Sequence, residues 1–101
     1  MRYLVVAAHY TSSPLQEKDG ELLRPEDLGL PAELCDALRE WNEDYRDVIP
    51  LDPAGRSAER AEIEFLDQRG LQLANAIERS LPGGAKVGYY SEGESRYLKL
   101  A

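Results

Sequence analysis

The chain has a single cysteine, Cys35, so no internal disulfide can form, which fits a reducing compartment. It has a single histidine, His9, so a zinc site of the usual kind could not be built without carboxylates. The acidic residues lack the fixed oxygen spacing and central glycine of a calcium loop. These absences predict no metal, and no motif predicts a cofactor. The Pro82-Gly83-Gly84 run follows a helix-like segment, where a phosphate-cradling loop would have to precede one. It reads as a helix cap.

Cations are also scarce. Twelve Lys and Arg stand against nineteen Asp and Glu, for a net charge of −7. Nucleic-acid binding draws its affinity from cationic contacts to phosphate, so the sequence predicts no nucleic-acid partner. An anionic membrane surface would repel the chain as well. A basic protein partner is the natural complement, although the same charge also serves solubility. No long hydrophobic run is present. The longest, Tyr3 to Ala8, is too short to span a bilayer and lacks the pattern of a secretory signal. The expectation is a cytoplasmic protein without a membrane partner.

What is present describes one domain over residues 1–101. A hydrophobic share of 43% with 31% charged residues is that of a globular chain, which argues against disorder. Arg2 to Tyr10 reads as a strand covered on both faces, in the middle of a sheet. Thr11 to Leu30 is a polar connection with Pro14, Gly20, Pro25 and Gly29, in which Glu21–Arg24 could form a short edge strand. Long connections are often functional, which marks this one as a variable or binding segment.

Pro31 suits the first turn of a helix reaching about Val48, with Leu34, Leu38, Trp41, Tyr45 and Val48 as its apolar stripe. Ser57 is a plausible N-cap for a second helix reaching about Leu81. Its stripe is Ile63, Leu66, Gly70, Leu73, Ile77 and Leu81. A glycine on a buried helix face predicts a neighbour packed close against it. Lys86–Ser91 and Arg96–Leu100 complete a hairpin, with Arg96, Leu98 and Leu100 on one face and Tyr97 and Lys99 on the other. The predicted fold class is α+β: a small, mostly antiparallel sheet in the order β-(β)-α-α-β-β, packed against a two-helix hairpin.

His9 stands at the end of the first strand beside Ser12 and Ser13, where a general base could sit. No distant carboxylate is marked to orient it, and a histidine hydrogen-bonded at the sheet edge is the simpler account. Cys35 could pair with His9 as a nucleophilic dyad, but the spacing favours a buried structural thiol. No catalytic residue is therefore assigned.

Two features point to binding. Glu33, Asp36, Glu40, Glu43 and Asp47 recur at helical spacing and form one acidic stripe beside the apolar one. Like charges so placed oppose their own helix by about a few tenths of a kcal/mol per pair. Such a ridge fits a basic partner, or else an ordinary solvated face. The second feature is tyrosine: six, against one Phe and one Trp. Tyr89 and Tyr90 are consecutive in a strand and so point to opposite faces. Helices cover one face, so at least one ring is a candidate contact on the other. Strand propensity explains tyrosines here too.

The run Leu30-Pro31-Ala32-Glu33-Leu34, followed by Leu38, Trp41 and Tyr45, resembles a group of short, acidic, uncharacterised bacterial proteins. So do Asp52-Pro53, Phe65 through Gly70 with Leu73, and Val87-Gly88-Tyr89-Tyr90-Ser91-Glu92. The resemblance covers most of the chain and implies no activity and no catalytic residue. Three functions stay open. One is a non-enzymatic protein-binding domain, in its sharpest form an immunity- or antitoxin-like inhibitor of a basic partner. The second is a regulatory or accessory module that forms a homodimer through its sheet face. The third is a small enzyme using His9 with a carboxylate or Cys35.

Overall fold

The apolar N-terminal run forms strand β1 (Arg2–Ala7), the middle strand of a five-stranded sheet in the computed structural model, which describes residues 1–101. Leu4 and Val6 point to one face and Val5 and Ala7 to the other, and all four are buried. On one side of β1 lie β2 (Leu15–Glu17) and β3 (Leu22–Leu23); on the other lie β4 (Ala85–Ser91) and β5 (Arg96–Lys99).

Three of the four pairings are antiparallel, as the sequence predicts. The exception is central: β1 and β4 run parallel, with Arg2 opposite Ala85 and Ala7 opposite Tyr90. The chain leaves β1, passes through the helices and re-enters at the end where β1 began. Parallel neighbours require such a crossover. β3 is the edge strand expected within Thr11–Leu30. β2 was not foreseen, because it is three residues long and Leu15 is its one buried side chain.

Helix α1 spans Ala32–Tyr45, directly after Pro31. It stops three residues short of Val48, which stays buried in the following turn. The second predicted helix is two. Helix α2 (Pro53–Ala58) and helix α3 (Arg60–Ser80) are separated at Glu59. The N-cap expected at Ser57 is instead Asp52, whose carboxylate accepts from the Gly55 amide at 2.7 Å. Ser57 lies inside α2.

The helices pack on one face of the sheet. Leu38, Trp41 and Tyr45 of α1 meet Ile63, Leu66, Ala74 and Ile77 of α3 over Leu4, Val6, Val87 and Tyr89. Gly70 has the close neighbour that its position predicts. A Cβ there would lie 2.2 Å from Cε1 of Tyr89, so the ring occupies the space that any side chain would need. In β5 the alternation read from the sequence breaks at a bulge. Tyr90 opposes Tyr97 while Tyr89 opposes Lys99, so Leu98 is the extra residue. Leu98 consequently packs against the core, and Lys99 reaches Asn75 and Glu78 on α3.

The opposite sheet face carries Tyr3, Val5, Gln16, Leu22, Tyr90 and Tyr97, in the registers the pairings set. Tyr3, Leu22 and Tyr97 are exposed, whereas Val5 is shielded by its neighbours.

Candidate partner-binding site

The period of α1 decides which of its residues meet water. Cys35, Leu38, Trp41, Asn42 and Tyr45 are buried on one side. Glu33, Asp36, Glu40 and Glu43 follow the same period on the other side and are exposed. Asp47 extends the row into the turn after the helix, and it too is exposed. All five predicted ridge residues are therefore together on the surface.

Their charges are not equally free. Asp36 accepts from Arg39 at 2.9 Å, and the same guanidinium reaches Glu26 at 3.1 Å. Glu26 is held below the usual carboxylate range, chiefly by its own backbone N–H, with Arg39 adding to the effect. Asp44, at the margin of the ridge, is paired with Arg69 of α3 at 2.8 Å. Glu33, Glu40, Glu43 and Asp47 have no cation of this chain within ion-pair distance. The residual negative charge of α1 is concentrated on those four.

The two tyrosines separate as their alternation requires. Tyr90 is half-buried on the open sheet face, edge-on to Tyr97 with ring centroids 5.0 Å apart. Tyr89 faces the helices and is fully buried between Trp41 and Gly70. Its ring is used in the core, so the sheet-face contact expected of the pair falls to Tyr90 alone.

His9 is half-buried just past β1 and lines none of the four main cavities. Its backbone N–H donates to Oδ1 of Asn42 at 2.8 Å, and Asn42 also reaches the Ser12 carbonyl, tying the segment after β1 to α1. Cys35 is buried, and its thiol is pushed up by that burial and then by the nearby Glu26. An activated nucleophile needs the opposite shift. The largest cleft, about 640 Å³, is lined by Arg56, Arg60, Glu64 and Glu94 among others, with balanced charge. No arrangement of nucleophile, base and orienting group emerges.

Sequence reading missed the most polar part of the interior. Asp67 is buried, and it accepts hydrogen bonds from the hydroxyls of Tyr45 at 2.9 Å, Tyr89 at 2.5 Å and Ser91 at 2.8 Å. The Tyr45 oxygen accepts in turn from the Gly93 amide at 2.8 Å, and the Ser91 oxygen from the Glu94 amide at 3.0 Å. The network joins α1, α3, β4 and the β4–β5 turn, and every one of its buried polar atoms is satisfied. A signal for it existed. Asp67 lies four residues after Ile63 and three before Gly70, so it falls on the apolar stripe of α3.

The family model described as Serratia CdiI immunity protein-like matches residues 2–92. The chain belongs to that family. The match runs from β1 through the end of β4 and ends before β5. No curated protein matches the chain. The resemblance read from the sequence pointed to bacterial proteins without an activity, and the family supplies one. Membership implies an immunity protein that binds a toxin partner, and it points to a non-enzymatic role.

Proposed function

We propose that the protein neutralises a basic toxin domain by covering it with the acidic ridge of α1. The observation that carries this reading is the group of exposed carboxylates, Glu33, Glu40, Glu43 and Asp47, that find no cation in their own chain. Carboxylates satisfied at home would gain little from a partner. Unpaired ones attract cations over the range of the Debye length, about 10 Å at 0.1 M salt. They speed encounter with a basic surface more than they hold it. The cytoplasm is the proposed location, in keeping with the single unpaired cysteine, and no helix is long and apolar enough to cross a membrane.

The test takes a toxin domain that the wild-type chain inhibits. Combined Glu40→Gln, Glu43→Gln and Asp47→Asn should lower the association rate about tenfold at low salt. The difference should shrink as salt rises, because the Debye length falls to about 3 Å at 1 M. The fold should tolerate the changes, since all three residues face water and repel each other. An unchanged association rate at low salt would reduce the ridge to a solvated face.

A second reading is self-association through the open sheet face. It is favoured by the exposed Tyr3, Leu22 and Tyr97 around the Tyr90–Tyr97 pair. Sedimentation equilibrium should then show a concentration-dependent dimer that Tyr97→Ala weakens. A monomer at every concentration would exclude it.

A further inference from the structure

We infer that the open sheet face is a second docking site, taken by an extended acidic segment of a partner protein. That segment carries two carboxylates four residues apart, with an apolar side chain midway between them. The site is separate from the ridge on α1. Its centre is Tyr3, which is exposed. In the strand register Tyr3 stands opposite Lys86 of β4. On its other side, just past β2, the Lys18 amide donates to the Tyr3 carbonyl at 2.9 Å. The Lys18 ammonium lies 5.9 Å from the centroid of the Tyr3 ring. Lysine, tyrosine and lysine therefore form one row across the lines of β2, β1 and β4.

Neither lysine has a carboxylate. Both are exposed, and neither makes an ion pair. The acids nearby are committed elsewhere. Glu17 is paired with Arg2, and Asp19 accepts from the Glu21 amide at 3.2 Å. Glu78 feels Lys86, but it accepts from the Val87 amide at 2.9 Å and pairs with Lys99 at 3.4 Å. No strand position on the open face is Asp or Glu. In a chain of net charge −7, this face reverses the sign of the rest. Interfaces match opposite potentials, so the row calls for an anionic occupant. Contact with the Tyr3 ring leaves the Lys18 charge uncancelled, and the exposed ring offers an apolar seat between the two cations.

Spacing narrows the occupant. Neighbouring strands lie about 4.8 Å apart, so the two lysine backbones are about 10 Å apart. An extended chain rises about 3.3 Å per residue, so side chains four residues apart are about 13 Å apart on one side of it. The flexible lysine stems cover the difference. The residue midway points to the same side and meets the Tyr3 ring. Other occupants fit less well. A second copy of this chain, face to face about a two-fold axis, brings the same carboxylate-free surface and leaves every lysine unpaired. Nucleic acid is a polyanion that the net charge repels. The Tyr90 and Tyr97 rings, at 73° to each other, are no platform for stacked bases.

The test is fluorescence anisotropy of a labelled peptide, Asp-Ser-Leu-Ser-Asp-Ser-Leu-Ser-Asp, against the same peptide with Lys for Asp and against a short oligothymidylate. At low salt the acidic peptide should bind the wild-type chain with Kd below about 1 mM, and the other two should bind more weakly. Lys18→Glu combined with Lys86→Glu should raise that Kd at least about tenfold, and Tyr3→Ala about fivefold. Arg60→Glu combined with Arg79→Glu makes the same change in net charge at two exposed, unpaired arginines of α3, and should raise it less than about twofold. Should the Lys18/Lys86 glutamate variant lose its urea transition, Lys18→Gln with Lys86→Gln carries the test, at about threefold. No binding of the acidic peptide at about 1 mM would overturn the site. So would equal losses in the lysine and arginine variants, or tighter binding of the basic peptide or the oligothymidylate. A dimer that Tyr97→Ala weakens would give the face to a second copy and overturn the acidic occupant.

Discussion

Trp41→Ala should lower the free energy of unfolding by roughly 3–5 kcal/mol, a large part of what holds a domain of this size together. The indole is fully buried. It packs edge-on to Tyr45 at 5.5 Å and tilted against Tyr89 at 5.9 Å, so it touches both the helix it belongs to and the central sheet. Its Nε1 donates to the Leu66 carbonyl at 2.8 Å, which fixes α1 against α3. Truncation removes all of these at once. It leaves a cavity between three elements and takes a partner from a buried backbone oxygen. Urea denaturation reads the loss directly. A midpoint equal to that of wild type would mean that the indole contributes nothing to the core.

The residues around Trp41 also show what a sequence can reveal. The stripe from Leu38 to Val48 and the stripe from Ile63 to Leu81 are helical periods, and a period is a local property. The same holds for the acidic ridge, whose five residues are exposed where the spacing put them. Gly70 was informative because glycine on a buried face has one common cause, a neighbour that needs the room. What stayed hidden depends on distant partners. The parallel pairing of β1 with β4 joins residues more than eighty positions apart, and nothing within either strand encodes it. The bulge at Leu98 follows from how β5 meets β4. Which carboxylates of the ridge are free follows from where Arg39 and Arg69 reach. The break at Glu59 was hidden for a different reason: both halves are helical, so composition shows one segment where the chain makes two.

Asp67→Ala should cost about 3 kcal/mol or more, because each buried polar group left without its partner costs roughly 1–3 kcal/mol. Three hydroxyls, from Tyr45, Tyr89 and Ser91, donate to this one carboxylate, and no cation of the chain pairs with it. Asp67→Asn should cost less, since the amide oxygen can still accept while its NH₂ opposes a hydroxyl donor. The network also sets how the fold responds to alkali. Burial pushes the Tyr45 phenol up to about 12, with the Asp67 charge adding to it. Tyr89 is raised further, first by burial and then by its hydrogen bond to Asp67. The folded state therefore holds both phenolic protons more tightly than the unfolded chain does, and ionisation favours unfolding. This contribution is fully present below about pH 10 and is lost as pH rises through about 12. For Tyr45 alone the rise from its ordinary value corresponds to roughly 3 kcal/mol. Urea titrations from neutral to strongly alkaline pH should show a plateau and then a steep fall, with phenolate absorbance from the two buried rings appearing only as the chain unfolds. In Asp67→Ala the plateau should be lower, and unfolding should begin at a lower pH. An Asp67→Ala variant within about 0.5 kcal/mol of wild type would show that the network is dispensable.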